Sequence, residues 1–325
     1  MIISKTPMRM SFFGGGTDFP EFFREYGGAV ISTTFDKYCH VNVRELPDLF
    51  EYKTLLSYAQ IEKVNSVKEI RHPAIRNAME WLGIERIALN YDADVPSKTG
   101  LGTSSSFSVG MLNAFYTMLG ISKSKRELAD DAIYLERNLC AEEGGIQDQI
   151  AAAFGGFNRI DFGADGYKVT PIAMTEERKA ELNGNLMMFF TGLSRFSFEV
   201  QKTTKAAMNS KTAELIEMLK MVDAAEKILV EPNTSLDDFG RLLNETWLLK
   251  RSISSKISSD YIDECYKKAV DAGALGGKLL GAGGGGCLLF YVPEEKHASV
   301  RKALAGMHEV KFTFENEGTK IICNN

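Results

Sequence analysis

The stretch PSKTGLGTSSSFSVG, residues 96–110, places two glycines and four consecutive hydroxyl side chains in front of a run of apolar residues. Glycine-rich turns allow backbone N–H groups to converge on an anion, and a following helix adds its unpaired first-turn donors and positive dipole end. Ser and Thr are also favoured N-cap residues, so a simply capped helix is the alternative. One cap requires one hydroxyl rather than four, and the stretch therefore favours a phosphate-binding loop. The GxxxxGK(S/T) pattern of the P-loop does not occur in the sequence.

The composition is that of a globular protein with a sizeable core, since 44% of the 325 residues are hydrophobic and 25% are charged. This length suggests two domains more readily than one. The formal net charge of -5 gives no overall field for nucleic acid or an anionic membrane, so neither is expected as a partner. Five cysteines are scattered without a CxxC pair, and the N-terminus lacks the apolar core of a secretion signal. We therefore expect a cytoplasmic protein, either a monomer or a homodimer.

Residue patterns predict strands and helices that alternate on the way to the 96–110 loop. Segments rich in β-branched and aromatic residues, 2–13 and 28–46, predict a strand and then a hairpin, with a glycine-rich acidic segment between them. Apolar positions at helical spacing over 67–84 predict a helix, and the alternating segment 85–95 predicts the strand that leads into the loop.

Beyond the loop, apolar residues recur on one face of a helix that should end near Gly120, and a second helix is expected over about 124–139. Residues 156–172 predict a hairpin, and the charged segment 175–185 is interpreted as a domain boundary. The second half is expected to contain a buried strand, several helices, a glycine tract followed by a strand, a helix near Pro293 and two final strands. The sequence therefore predicts two α+β domains.

The glycine tract GAGGGG, residues 281–286, formally satisfies the GxGxxG pattern of dinucleotide-binding folds. That pattern should open a helix, whereas this tract runs into CLLFYV, a strand-like segment near the C-terminus. A tight turn that needs glycine at positive φ is a second explanation. The number of glycines favours close approach of some group to the backbone. An NAD-dependent oxidoreductase stays an alternative, which a helix directly after the tract would support.

Two further segments carry charged residues beside glycines. In EEGGIQDQIAAAFGG, residues 142–156, Asp148 stands at the start of an alanine-rich helical pattern, where an acidic residue also suits the positive end of the helix dipole. In RMSFFGGGTDF, residues 9–19, Arg9 belongs to a predicted strand and Asp18 follows three glycines. Taken alone, Arg9 would be explained by a surface ion pair and Asp18 by a turn or an N-cap.

The order of these segments resembles that of the GHMP kinases, a superfamily that includes galactokinase, homoserine kinase and mevalonate kinase. The family's PxxxGLGSSSA loop is matched with Thr103 in place of a serine and with Phe107 in the region of small residues. Its catalytic aspartate is matched by Asp148, and its C-terminal glycine motif by GGKLLGAGGGG, residues 276–286. The resemblance covers essentially the whole chain.

The resemblance implies a two-domain α+β fold, the GHMP kinase fold. Residues 1–175 would form an N-terminal ATP-binding domain similar to domain 2 of ribosomal protein S5, and residues 184–325 a ferredoxin-like C-terminal domain. ATP and substrate would meet in the cleft between the two domains. Within the family, FFGGGTDFPEFF, residues 12–23, looks most like the branch of heptose 7-phosphate kinases and fucokinases, which act on the anomeric hydroxyl.

The activity implied is ATP-dependent phosphorylation of the anomeric hydroxyl of D-glycero-D-manno-heptose 7-phosphate to the 1,7-bisphosphate, for nucleotide-activated heptose synthesis. A fucokinase or another anomeric sugar kinase is the alternative within the family. A noncatalytic sugar-binding protein on the same fold is a further alternative. The joint presence of Arg9, Ser104, Glu136 and Asp148 argues for retained catalysis.

The same resemblance implies roles for the phosphate loop. Backbone N–H groups from Gly100 to Ser105 would hold the β- and γ-phosphates of ATP, and Ser104 or Ser105 would reach Mg²⁺ together with Glu136. Without the family pattern, a solvated helix face would be the better explanation of Glu136. The full set expected at the nucleotide is Pro96, Gly100, Leu101, Gly102, Thr103, Ser104, Ser105 and Ser106.

On the acceptor side, Asp148 would orient or deprotonate the attacking hydroxyl, and Arg9 beside it would offset charge on the transferring phosphoryl group. Asp18 would bind sugar hydroxyls, and the glycines before it would let the sugar lie against the backbone. Arg195, helped by Lys202 or Lys205, would hold the phosphate that the substrate already carries. The full set expected at the substrate is Gly14, Gly15, Gly16, Thr17, Asp18, Arg195, Gly283 and Gly284.

Overall fold

A long antiparallel pair of strands organises the N-terminal half of the molecule. The computed structural model describes the backbone of residues 1–193 and 197–325. β1 (Ile2–Phe13) pairs with β2 (Gly28–Glu45) along almost its whole length. The sequence pattern predicted a hairpin over 28–46, but no Gly or Pro interrupts residues 29–45, and they form a single strand.

Because it is so long, β2 pairs through its two halves with different partners. Its first half pairs with β6 (Phe157–Gly163) and its second half with β5 (Ile87–Ala93), both antiparallel. The hairpin predicted over 156–172 is confirmed as β6 and β7, whereas the β3–β4 hairpin was not predicted. These strands are β3 (Thr54–Ser57), β4 (Ile61–Val64), β5 (Ile87–Ala93), β6 (Phe157–Gly163) and β7 (Gly166–Pro171).

Helices cover one face of this sheet, and α3 packs directly against β1 and β2. The second helix predicted after the loop becomes α4, which continues past Tyr134 as one π-helical turn, Leu135–Leu139. Such turns are frequent at functional sites. The helices of this half are α1 (Pro20–Tyr26), α2 (Pro73–Leu82), α3 (Thr103–Met118), α4 (Lys125–Tyr134) and α5 (Gln147–Phe154).

The second half folds on a smaller antiparallel sheet with the strand order β11-β8-β10-β9, which agrees with the expected ferredoxin-like α+β domain. Its strands are β8 (Leu186–Phe190), β9 (Gly276–Leu279), β10 (Cys287–Tyr291) and β11 (His308–Glu309). Its helices are α7 (Ser197–Ala207), α8 (Thr212–Val230), α9 (Leu236–Ile253), α10 (Asp260–Asp271) and α11 (His297–Ala303). Among the helices of the described chain, none is both long and apolar enough to cross a membrane.

Two features of the structure bear on the predicted domain limits, which stay a prediction. The charged segment interpreted as a boundary forms a helix, α6 (Glu176–Asn185), whose N-cap is Thr175, because the Thr175 hydroxyl accepts the Arg178 N–H. The last residues leave the second domain: β12 (Phe314–Glu315) pairs with β2, and β13 (Lys320–Asn324) pairs with β1. This return pairs β13 with residues 2–5 on the outer side of β1 and so covers that part of the sheet edge.

An apolar core joins the two halves and fixes β1 against α9. Phe12 and Phe13 of β1 both pack on Phe239 of α9, with ring centroids 5.3 and 5.1 Å apart. All three side chains are fully buried. Truncating a buried phenylalanine to alanine costs about 3–5 kcal/mol, so this contact is a strong constraint on how the halves sit together.

Candidate active site

The phosphate loop ends in the first turn of α3, as the sequence predicted. Gly102 adopts a left-handed conformation with φ 73°, and the first intrahelical bond runs from the Ser106 N–H to the Gly102 carbonyl at 2.9 Å. The N–H groups of Thr103, Ser104 and Ser105 precede that bond and have no partner within the helix. These three residues line the cleft between the two halves of the molecule. The loop therefore presents helix-start donors to a concave space, as an anion site requires.

Three residues expected at the nucleotide hold the loop in place and do not line the cleft in the part of the chain that the structure describes. Leu101 is fully buried, and its carbonyl accepts the Arg9 backbone N–H at 3.1 Å. The Ser106 hydroxyl donates to the Pro7 carbonyl at 2.9 Å. The carbonyl of Pro96 accepts the Thr99 hydroxyl at 3.1 Å. The carbonyls of Leu101 and Pro96 and the Ser106 hydroxyl therefore tie the loop to β1 and to itself.

The glycine tract closes onto the phosphate loop through the backbone. A Cβ built on Gly100 would lie 2.3 Å from the Leu280 carbonyl oxygen, and one built on Gly281 would lie 2.5 Å from the Cα of Gly100. Both glycines have positive φ, 79° and 75°. The close approach that the glycines suggested is thus an approach of one loop to the other. The tract runs directly into β10 and not into a helix, which removes the support for a dinucleotide-binding fingerprint.

The two glycines of this tract that were expected at the substrate do not line the cleft in the part of the chain that the structure describes. A Cβ on Gly283 would lie 2.8 Å from the Cα of Ile257, and the Gly284 N–H donates to the Ile257 carbonyl at 2.9 Å. The tract members that line the cleft are Gly281 and Ala282. The substrate role expected for Gly283 and Gly284 is therefore corrected to a structural one, because both pack against the backbone of Ile257.

Arg9 and Asp148 form a two-pronged ion pair at the floor of the cleft. Nε of Arg9 donates to Oδ1 of Asp148 at 2.8 Å, and Nη2 donates to Oδ2 at 2.6 Å. The third nitrogen, Nη1, donates to the Gly100 carbonyl at 2.6 Å. Arg9 is 4% exposed, and Asp148 sits in the first turn of α5. The arginine therefore links the carboxylate directly to the phosphate loop.

Glu136 lies on the π-helical turn, next to one serine of the loop. The Ser105 hydroxyl donates to Oε2 of Glu136 at 3.1 Å, and the Gln149 amide donates to the same oxygen. Oε1 is buried and accepts no hydrogen bond from the described residues. Burial, followed by the nearby Glu142 carboxylate, raises the pKa of Glu136 to about 7. Ser104 is exposed at the cleft surface, so Ser105 is the serine that shares a site with Glu136.

This arrangement fits a magnesium ion. No cluster of three or more His, Cys, Asp or Glu side chains suited to a metal occurs in the described ranges, so a site made wholly of charged ligands is not available. Mg²⁺ commonly takes one or two protein oxygens and completes its shell with phosphates and water. The orphaned buried oxygen of Glu136 and the adjacent Ser105 hydroxyl provide such a donor set.

Asp18 lies across the cleft from the loop and is almost fully buried. One of its oxygens accepts the Gly16 N–H at 2.9 Å and the other accepts the Gln147 N–H at 3.4 Å. Burial raises the pKa of Asp18, with a further contribution from Asp148. A Cβ on Gly145 would lie 1.7 Å from Oδ2, so the glycine at that position is what allows the carboxylate its place.

The glycines before Asp18 divide into two kinds. Gly15 and Gly16 line the cleft. Gly14 instead packs on β2, where an added Cβ would lie 1.9 Å from the Ala29 carbonyl oxygen. The Thr17 hydroxyl donates to the Gly14 and Ala29 carbonyls at 2.8 and 3.0 Å and is fully buried. The substrate role expected for Gly14 and Thr17 is therefore corrected to a structural one: they fold the segment that carries Asp18.

The site expected for a second phosphate is only partly described. Arg195 lies outside the described residues. Lys205 is engaged by two carboxylates, Glu21 at 3.1 Å and Glu143 at 3.4 Å. Lys202 is exposed on α7. The described part of this segment thus offers Lys205 as a paired cation.

Several cleft residues were missed by reasoning from the sequence. Lys250 is 9% exposed and Lys278 is 1% exposed, yet both line the cleft beside Asp18 and Arg9. The available signal for Lys250 was its spacing, since it falls on the apolar face of α9 between Trp247 and Ile253. The other missed residues line the cleft through uncommitted polar atoms or aromatic rings: Ser11, Gln147, Tyr58, His72, Tyr91 and Phe107.

The aromatic members form a cluster beside the loop. His72 lies between Tyr58 and Phe107, with ring centroids 5.1 and 5.3 Å away, and Tyr91 meets Phe107 edge to face at 4.9 Å. Burial lowers the pKa of His72, so the ring is favoured in its neutral form. No motif marked this cluster because its members come from the β3–β4 turn, β5, the segment before α2, and α3.

Known proteins are similar to this chain over nearly its whole length. The model of the GHMP kinases N terminal domain matches residues 65–156, and that of the GHMP kinases C terminal domain matches residues 221–309. D-glycero-alpha-D-manno-heptose 7-phosphate kinase from Campylobacter jejuni is 30% identical, with 98% of both chains covered. The bifunctional fucokinase/GDP-fucose pyrophosphorylase of Arabidopsis thaliana is 24% identical, over 92% of this chain and 30% of that protein.

A solved structure has the same fold as this chain. The D-glycero-D-manno-heptose 1-phosphate kinase from Bacteroides thetaiotaomicron superposes with a TM-score of 0.74, at 24% sequence identity and with both chains fully covered. At that identity the likeness carries the fold alone. Together with the full-length relative at 30% identity, the matches to both halves lead to one conclusion: the chain belongs to the GHMP kinase family.

Proposed function

We propose that this sugar kinase of the GHMP family transfers the γ-phosphoryl group of ATP to the anomeric hydroxyl of D-glycero-D-manno-heptose 7-phosphate, giving the 1,7-bisphosphate. The observation that carries the proposal is the Arg9–Asp148 pair, which lies between the phosphate loop and the Asp18 pocket. Donor and acceptor would meet there. The relative from C. jejuni, which bears the name of this activity, supports the choice of acceptor.

Phosphoryl transfer depends mainly on positioning and on charge stabilisation. In this proposal the N–H groups of Thr103, Ser104 and Ser105 bind phosphate oxygens of ATP, since they are the unpaired donors of α3. Asp148 accepts a hydrogen bond from the anomeric hydroxyl and orients it toward the γ-phosphorus. Arg9 holds both oxygens of Asp148 and fixes that carboxylate in place. Because the pair is bidentate and charge-assisted, it is stronger and more directional than a single neutral hydrogen bond.

Ser105 and Glu136 are the residues that would hold Mg²⁺. Bound Mg²⁺ supplies charge neutralisation for the triphosphate. Ser105 and Glu136 approach from two different helical segments, α3 and the π-helical turn, whose packing fixes their spacing. Of the two serines that the sequence left open as ligands of Mg²⁺, this proposal assigns Ser105, because it is the one bonded to Glu136.

The aromatic cluster is the natural place for the nucleobase. Tyr58, His72, Tyr91 and Phe107 lie in the cleft near the start of α3. Aromatic faces bind a planar base by stacking. ATP bound in this way would run from the cluster to the loop and end at Asp148.

The acceptor side is polar and enclosed, as a sugar requires. Asp18 offers carboxylate oxygens, while Ser11 Oγ and Gln147 Oε1 are buried without a hydrogen-bond partner in the described chain. A Cβ on Gly15 would lie 3.8 Å from both Ser11 Oγ and Gln147 Nε2, so the glycine borders the space that these groups face. Hydroxyls of a sugar are suitable partners, since each both donates and accepts.

The test is an acceptor panel with Mg-ATP. The protein is incubated with heptose 7-phosphate, unphosphorylated heptose, fucose and galactose, and ADP release is measured for each. We expect heptose 7-phosphate to give the highest kcat/KM. Preferred turnover of fucose would move the assignment to a fucokinase, and binding without turnover would indicate a noncatalytic sugar-binding protein.

A further inference from the structure

Lys250 places a buried cation in the wall of the cleft that belongs to the second half of the molecule. It lies near the end of α9 and is 9% exposed. Its Nζ donates to the carbonyl of Gly281 at 2.6 Å. Gly281 in turn touches Gly100 of the phosphate loop, whose carbonyl accepts from Arg9. Lys250 therefore reaches the phosphate loop by way of the glycine tract, whereas Arg9 reaches it from β1.

The ammonium group has donors to spare. An ammonium carries three N–H donors, and the described residues supply one acceptor, the Gly281 carbonyl. No carboxylate of the described chain lies within 4.0 Å of Nζ. Lysine is seldom this buried unless it is paired. A buried cation with two unused donors beside a cleft is thus suited to bind an anion.

Charges from several elements face this lysine. Arg9 on β1 opposes its protonation, while Asp18 after β1 and Asp148 on α5 favour it. Lys278 on β9 lies near enough to interact with it. Burial and Arg9 together lower the pKa of Lys250 to about 8. At neutral pH Lys250 is therefore mainly charged.

Lys278 is a different kind of group. Its Nζ donates to the Phe12 carbonyl at 2.8 Å, and the side chain is 1% exposed. Burial, with Lys250 and Arg9 nearby, lowers the pKa of Lys278 well below its usual value. Of the two lysines, Lys250 is the one that donates to the tract glycine in contact with the phosphate loop, whereas Lys278 is committed to the Phe12 carbonyl.

We propose that Lys250 is a catalytic residue, whose ammonium group binds the non-bridging oxygens of the γ-phosphoryl group during its transfer. This rests on the proposed function for the location of ATP. Arg9 approaches from the first half of the molecule and Lys250 from the second, so the transferring group lies between two cations. A hydrogen bond from a desolvated ammonium group stabilises the negative charge of the transition state more than the same hydrogen bond would in water.

The transfer balances without any further reactant. A bond forms between the acceptor oxygen and the γ-phosphorus, and the bond from that phosphorus to the β,γ-bridging oxygen breaks. The electron pair of the broken bond leaves with ADP, and the acceptor proton passes by way of Asp148 to solvent. Lys250 keeps its proton throughout and contributes charge only.

The first test is the kinetics of three variants. Lys250→Met keeps the length of the side chain and removes the charge, and we expect kcat to fall about 100-fold while KM for ATP and for the acceptor change less than about threefold. Lys250→Arg should restore most of kcat. Lys256→Met, at an exposed position beyond the end of α9, is the matched control. The proposal would be overturned if Lys250→Met left kcat unchanged, or if it raised only KM for the acceptor.

The pH profile separates a charge role from a packing role. If the protonated ammonium is required, kcat of the wild type falls as pH rises through about 8, and Lys250→Arg removes that alkaline limb. An identical alkaline limb in both proteins contradicts the proposal. A merely structural lysine would alter unfolding and leave the profile in place.

A binding measurement keeps this inference separate from the choice of acceptor. ADP with aluminium fluoride imitates the transferring phosphoryl group and needs no knowledge of the sugar. Calorimetry should show that Lys250→Met weakens this complex at least tenfold and leaves the affinity for ADP alone unchanged. Equal affinities in wild type and variant overturn the inference. Failure of heptose 7-phosphate as a substrate overturns the proposed function and leaves this result standing.

Discussion

Arg9 and Asp148, 139 residues apart in the chain, meet through two hydrogen bonds of 2.8 and 2.6 Å, and the same guanidinium holds the Gly100 carbonyl of the phosphate loop. The ion pair thus joins β1, the phosphate loop and α5 at one point. Arginine suits this position better than lysine because its planar fork serves two oxygens and a third acceptor at once.

Asp148→Asn should abolish turnover and spare nucleotide binding. The amide loses the charge of the carboxylate and presents one N–H group to Arg9, so the hydroxyl is no longer oriented. We expect kcat to fall about 10³-fold, while the dissociation constant for ATP changes less than about threefold. Asp165→Asn, in the exposed β6–β7 turn, is the control. Robust turnover by Asp148→Asn contradicts the assigned role.

Ser105→Ala should raise the Mg²⁺ requirement. The hydroxyl contacts Glu136 at 3.1 Å, so its removal takes one oxygen from the donor set. We expect the Mg²⁺ concentration for half-maximal activity to rise about tenfold, with a smaller change for the exposed Ser104→Ala. Titration of activity with Mg²⁺ at saturating ATP measures both. A larger effect at Ser104 would reverse the choice between the two serines.

Gly145→Ala should damage the acceptor site without any change in a charged residue. The added Cβ would lie 1.7 Å from Asp18 Oδ2, and φ at this position is not in the left-handed region, so the carboxylate must yield. We expect the acceptor KM to rise about tenfold, as in Asp18→Ala, with KM for ATP unchanged. Gly184→Ala, where nothing lies within 4 Å of the new carbon, is the control. Normal acceptor KM in Gly145→Ala argues against Asp18 as the sugar ligand.

Lys250 should also make stability depend on pH. Its pKa is lowered from 10.5 to about 8 on folding, so between these values the unfolded chain binds more protons and stability rises with pH. Lys250→Met lacks this term. The free energy of unfolding of Lys250→Met minus that of the wild type should therefore be largest below pH 8. This difference should be smaller by on the order of 3 kcal/mol at pH 11. Urea unfolding at pH 7 and pH 10.5 measures it, with Lys256→Met as control, and parallel curves would contradict it.

The motifs that could be read from the sequence are those whose chemistry is local. The glycines and hydroxyls of residues 100–105 announce a helix start, and the family order then associates Arg9, Glu136 and Asp148 with it. The structure brings these residues to one cleft. Their roles in binding and catalysis stay predictions.

The sequence could not separate glycines that face a ligand from glycines that face backbone. Gly15 and Gly14 are neighbours, yet one borders the cleft and the other touches Ala29. Gly283 and Gly284 are used against Ile257 in the same way. The distinction depends on which distant segment arrives next to each glycine, and local pattern does not contain that information.

Long-range pairing explains the other differences. β13 pairs with β1 across more than 300 residues, so no local signal could assign it to the first sheet. β2 reads as a hairpin by composition, but its two halves find separate partners in β6 and β5. Lys250 is visible only as a lysine on an apolar helix face, which a salt bridge would explain equally well until the cleft is known.

The most direct measurement of the central claim is phosphorus NMR of the product formed from heptose 7-phosphate and Mg-ATP. The proposed function predicts a new resonance coupled to the anomeric proton, in a sugar that retains its 7-phosphate, in stoichiometry with ADP. A phosphate attached at any other carbon, or no new sugar phosphate while an unphosphorylated sugar is turned over, would contradict it.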